Sequence, residues 1–182
     1  MNWIFAGLLC AHFDIYIANT ETLPDWLGYL FVLWGMRGLM TELPAFNRAR
    51  LAPLLAGLFS VIFFGARFQQ ILPSDGWGAV GIQALSNTIT FAVEVAFWLA
   101  VRASERQLQT ELDDAAFFRA AGITWLFSVA GAVLRWVEND IFAMLTTIFA
   151  GLLSVWLFYA LWQIRKNYRY AQMQQAFERA RR

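Results

Sequence analysis

The sequence predicts an all-α integral membrane helical bundle with six transmembrane segments, the first two short and forming a hairpin. Three observations carry this. The chain is 59% hydrophobic and only 15% charged, against about 25% charged in soluble domains. Its apolar residues gather into six segments. Basic residues then alternate from one connection to the next, as the positive-inside rule demands of an even number of crossings.

The segments are Trp3–Ala18, Pro24–Met40, Pro53–Leu72, Gly78–Val101, Ala115–Val137 and Ile141–Ile164. A span takes roughly 20 residues, which the last four satisfy and the first two do not. Boundaries are marked by "LP" at Leu23, Leu43 and Leu72, since proline is tolerated in a first helical turn where its missing N–H has no partner to lose. Pro24 is expected to open the second segment, with Trp26 and Tyr29 at the outer interface. Nine tryptophans and five tyrosines suit a protein with two membrane–water boundaries.

Arg37, Arg48 and Arg50 lie at the second connection, and Arg102, Arg106 and Arg119 around the fourth. The tail adds Arg165, Lys166, Arg169, Arg179, Arg181 and Arg182. The other connections are acidic, with Glu21, Asp25, Asp75, Glu138 and Asp140. Both termini are therefore expected in the cytoplasm of a cell with the protein in its inner membrane. The organisation expected is a transmembrane bundle over 1–164 and a basic cytoplasmic tail over 165–182, continuing as a helix along the membrane surface. The net charge of +1 gives no basis for a nucleic-acid partner. The start, "MNWIFAGLLC", lacks the basic region of a cleavable signal. Cys10 alone forms no internal disulfide.

Around "LPDWLGYLFVLWGMRGLMTELPAFNRAR" the chain resembles uncharacterised small multi-pass bacterial membrane proteins. The resemblance rests on Leu23, Pro24, Asp25, Gly28 and Tyr29, then Phe46, Ala49 and Arg50. It covers the first third of the chain and implies no particular activity. In size and span number alone the chain is also similar to the substrate-binding subunits of energy-coupling-factor vitamin transporters.

The fourth segment holds the main functional signal. Gln83, Asn87, Thr90 and Glu94 fall within an arc of roughly 60° on one helix face at 100° per residue. A charge within a span costs at least about 2.5–3.5 kcal/mol and turns toward the bundle interior or a wet cavity. The stripe is either a lining for a solute, ion or proton path, or a set of helix-to-helix hydrogen bonds. Depth arithmetic selects Arg37 as the partner of Glu94, with Arg102 as rival. A second layer toward the outer face, Asp14, Arg67, Arg135 and Glu138 with Asp140, Trp77 and Trp136 nearby, is a candidate pocket for an anionic or aromatic solute.

His12 and Asp14 stand two apart and do not share a helix face, so His12 is expected to be a packing residue. One histidine and one cysteine assemble no zinc site of the usual ligands. No metal or other cofactor is expected. No nucleophile elbow, phosphate loop or dinucleotide fingerprint occurs, which argues against an enzyme. Thr124, Ser128 and Gly131, then Thr147, Gly151 and Ser154, form small-residue stripes expected to let helices approach closely. The function expected is membrane-embedded binding or transport of a small solute. The alternative is a non-catalytic accessory or assembly subunit of a membrane complex. Partners are the bilayer, a small solute and other membrane subunits.

Overall fold

The computed structural model describes residues 1–12, 16–17, 20–21, 25–69, 76–108, 110, 112, 114–136 and 140–181, some of them by backbone alone. Helices dominate: α1 (Asn2–His12), α2 (Asp25–Met40), α3 (Phe46–Ala49), α4 (Leu51–Phe68), α5 (Gly76–Leu108), α6 (Asp114–Trp136) and α7 (Asp140–Arg181). A two-residue antiparallel pair, β1 (Tyr16–Ile17) with β2 (Thr20–Glu21), lies between α1 and α2.

Four helical stretches are long and apolar enough to cross a membrane: Phe46–Ala66, Trp77–Leu108, Asp114–Leu134 and Met144–Glu178. The first two expected segments fall short. With 11 and 16 residues, α1 and α2 measure about 16 and 24 Å at 1.5 Å per residue, below the roughly 30 Å of hydrocarbon. By contrast α5 and α7, with 33 and 42 residues, run well beyond that thickness. Pro53 sits in the first turn of α4, and α5 contains no proline to interrupt it. α4 turns Leu51, Leu54, Leu55, Leu58, Phe59 and Ile62 outward, each about half exposed or more. Such a contiguous apolar face marks a surface that meets a membrane or another protein.

α1 and α2 pack antiparallel, backbone against backbone. A Cβ on Gly28 would stand 2.6 Å from the Gly7 carbonyl and 2.9 Å from the Ala11 amide. One on Gly35 would stand 2.7 Å from the Ile4 amide. No side chain larger than hydrogen fits at these crossings, which is how small residues join helices where the apolar surroundings supply no drive of their own.

The bundle is filled at one end and open at the other. On α5 the buried residues begin at Thr90 and continue through Val93, Glu94, Phe97, Ala100, Val101 and Ser104. Among the described residues of α7 they begin at Ser154. Phe97 is the hub of the filled end, with its ring edge-on to Phe46 at 6.0 Å and to Phe117 at 5.5 Å. Such tilted contacts set the ring quadrupoles favourably.

α7 runs unbroken past residue 165 to Arg181. Its extension is held by Glu42, whose carboxylate accepts from Tyr168 Oη at 2.6 Å and Gln172 Nε2 at 2.7 Å. Tyr168 and Ala171 are buried, so this part of α7 packs on the protein instead of lying apart from it.

Candidate functional site

Between α1, α2, α5, α6 and α7 lies a cavity of about 360 Å³. All four stripe residues, Gln83, Asn87, Thr90 and Glu94, line it. Their exposure falls along the helix: Gln83 is exposed, Asn87 intermediate, Thr90 8% exposed and Glu94 2%. The cavity thus opens at the Gln83 end and closes at Glu94. Gln83 donates to Asn87 Oδ1 at 3.3 Å, one turn deeper. Thr90 donates to the Ser86 carbonyl at 3.2 Å. It therefore accepts from Tyr29 Oη at 2.8 Å.

That last bond corrects one expectation. Tyr29 is 1% exposed and belongs to the bundle interior, not to an interface. It also sets the register of α2 against α5 and explains why Arg37 does not meet Glu94. Arg37 lies eight residues past Tyr29, about 12 Å along α2, whereas Glu94 lies only about 6 Å past Thr90. Arg37 is exposed and lines a different recess with Glu42, Tyr168 and Gln172. The rival Arg102 stacks over Trp98, 5.3 Å from the ring centre.

The residue facing Glu94 is His12. Its Nε2 lies 3.2 Å from Glu94 Oε1. The contact is bent away from ideal hydrogen-bond geometry, so Oε1 keeps no well-directed donor. His12 Nδ1 stands 3.2 Å from the Leu8 carbonyl, and a carbonyl only accepts, so Nδ1 carries a proton and Nε2 is the nitrogen turned to the carboxyl group. Phe158 packs edge-on against the imidazole at 5.7 Å. The imidazole and the carboxyl group thus face each other at the floor of a polar cavity.

The far wall comes from the small-residue stripes. Thr124 and Ser128 of α6 and Thr147, Gly151 and Ser154 of α7 line the same space, on two helices that otherwise approach closely, as expected. At Gly131 the two helices touch, its Cβ position 3.0 Å from Thr146 Oγ1 and 3.9 Å from Thr147 Oγ1. At Gly151 a Cβ would meet nothing within 4 Å. Thr124 is 4% exposed and its Oγ1 has no hydrogen-bond partner. Phe91 and Trp125 complete the lining, stacked at 5.2 Å. Trp125 is oriented by donating Nε1 to Thr88 Oγ1 at 3.2 Å. Asp25, in the first turn of α2, also lines the cavity.

Of the expected outer layer, Asp14 and Glu138 lie outside the described residues, and Arg67 and Arg135 are placed by backbone only. Among the described residues no group of three or more His, Cys, Asp or Glu could hold a metal ion. His12 and Thr124 were missed as site residues. An ionisable residue at the end of an apolar helix was the available signal for the first, and a place in the small-residue stripe of α6 was the signal for the second. No protein-family description, no curated protein and no solved structure matches the chain.

Proposed function

We propose that this is a multi-pass inner-membrane protein, both termini cytoplasmic, that binds a small polar solute within the membrane for transport. In this reading α4 through α7 cross the bilayer. α1 and α2 enter from the cytoplasmic side, bringing His12 and Asp25 to the cavity wall at depth. The open end near Gln83 then faces outward and the filled end around Phe97 closes the cytoplasmic side.

One observation carries the proposal: a polar cavity whose lining grows steadily more buried toward the Glu94–His12 pair. A ligand pocket of small-molecule size usually measures about 300–1,000 Å³ with a few convergent polar groups, and this one has both properties. Thr90 and Glu94 of the stripe meet Tyr29 and His12 on neighbouring helices, but Gln83 bonds Asn87 within its own helix. Across the cavity Thr124 Oγ1, like Glu94 Oε1, lacks a directed hydrogen bond and borders open space, where an unpaired buried polar group costs about 1–3 kcal/mol. That observation favours a solute site over an assembly subunit. Purified protein in nanodiscs should bind a small polar solute saturably, at one site per chain, with binding lost on Glu94→Gln. Saturable binding that Glu94→Gln leaves untouched would place the site elsewhere.

A further inference from the structure

A recess of about 500 Å³ lies at the filled end of the bundle, apart from the cavity, between α2, the start of α1 and the extension of α7. Arg37 stands in its wall and is exposed. Tyr168 and Gln172 of α7 also line it. Arg165 and Arg169 share their helix face, all four within an arc of roughly 100°. Arg169 reaches Asn2 Oδ1 at 3.3 Å. Burial, then the nearby Arg165 and Arg169, hold the amine of Met1, another lining residue, below its ordinary pKa. Glu42 is the acidic group among the described lining residues, and its carboxylate already accepts from Tyr168 and Gln172. Three guanidinium groups thus meet one carboxylate.

The recess lies at the depth of lipid headgroups. Exposed Leu152 and Val155 of α7 give way to Lys166 and Arg169, and Lys166 lies over the Trp162 ring at 5.7 Å. Trp3 and Trp34, also in the lining, stack at 5.6 Å and are 49% and 65% exposed. Such rings gather at the membrane–water boundary, where basic pockets hold anionic headgroups. We propose that the recess binds a phosphate group carried by an anionic phospholipid, seated on Arg37, Arg165 and Arg169 beside Trp3 and Trp34. Guanidinium forks match phosphate oxygens two at a time.

The protein in mild detergent is titrated with dioleoylphosphatidylglycerol, dioleoylphosphatidylcholine and glycerol 3-phosphate, and bound molecules are counted by native mass spectrometry. One phosphatidylglycerol should bind at least tenfold more tightly than phosphatidylcholine, whose phosphate is offset by its own choline. Arg37→Gln should weaken it several-fold. Gly38→Leu should weaken it at least tenfold with no change of charge, because Gly38 lines the recess and a Cβ there meets nothing within 4 Å. Gly65→Leu, equally free of contacts but outside the recess, should change nothing. Phosphatidylcholine held as tightly, or phosphatidylglycerol held unchanged by both Arg37→Gln and Gly38→Leu, overturns the site. Displacement of the lipid by an equal concentration of glycerol 3-phosphate keeps the phosphate and overturns the lipid as its source.

Discussion

Filling the cavity without disturbing the helices separates a binding site from a packing defect, and Gly151 permits it. A Cβ there meets nothing within 4 Å, and the residue lines the cavity. Gly151→Leu adds four carbons, which displace on the order of four waters at about 30 Å³ each, so about a third of the 360 Å³ is lost. Replacing a mid-helix glycine by a better helix former is worth roughly 0.5–1 kcal/mol, and no clash offsets it at Cβ. The protein should therefore keep or slightly raise its thermal midpoint in nanodiscs while saturable binding of the small polar solute falls at least tenfold, a loss of about 1.4 kcal/mol or more. Gly122→Leu is the control. Its Cβ also meets nothing within 4 Å, but Gly122 does not line the cavity, so binding should not change. Wild-type binding by folded Gly151→Leu would refute the assignment of the site. Unfolding of Gly151→Leu but not Gly122→Leu would refute the open space itself.

Replacing either member of the Glu94–His12 pair alone, Glu94→Gln or His12→Phe, should destabilise by about 3–5 kcal/mol because it strands the other; the double variant should lose less than the sum, measured as a double-mutant cycle. Arg37→Gln, at an exposed position away from Glu94, should change stability by less than about 0.5 kcal/mol and show no coupling to Glu94→Gln. Gly28→Leu should cost about 1–3 kcal/mol or more through overpacking, since its side chain would meet the backbone of α1; unchanged thermal stability would contradict the close crossing. Glu42→Ala removes the acceptor shared by Tyr168 and Gln172, and at about 1.5–3 kcal/mol per bond to a charged group it should expose α7 beyond Arg165 to faster amide exchange. A cysteine at Asp75 in a Cys10-free background should label from outside with an impermeant reagent, and one at Arg106 should not.

The lining of α5 was legible because a polar stripe at helical spacing leaves a mark that no packing detail can blur. Its partner was not. The depth comparison placed α2 and α5 as if both began at the same level, whereas the Tyr29–Thr90 bond sets Asp25 near the depth of Ser86. That shift carries Arg37 past Glu94 and leaves the position to His12, from a helix too short to read as a span. The small residues of α6 and α7 were legible as a stripe but ambiguous in meaning. Two facing small faces either close on each other or leave room, and only the helix separation decides. At Gly131 they close; at Gly151 they do not. Likewise, a tyrosine near a proposed boundary reads as an interface residue until Thr90 supplies a buried partner for its hydroxyl.

Cysteine accessibility along α5 tests most directly whether the stripe faces water within the membrane. Single cysteines would replace Gln83, Leu85, Asn87 and Thr90 in a Cys10-free protein, with a small impermeant thiol reagent added outside. Leu85 is 45% exposed on the protein surface and Thr90 only 8%, but Thr90 borders the cavity and Leu85 does not. A water-filled outward cavity predicts labelling in the order 83, 87, 90, no labelling at 85, and protection of 87 and 90 by Gly151→Leu. Labelling at 85 with none at 87 and 90 would contradict it.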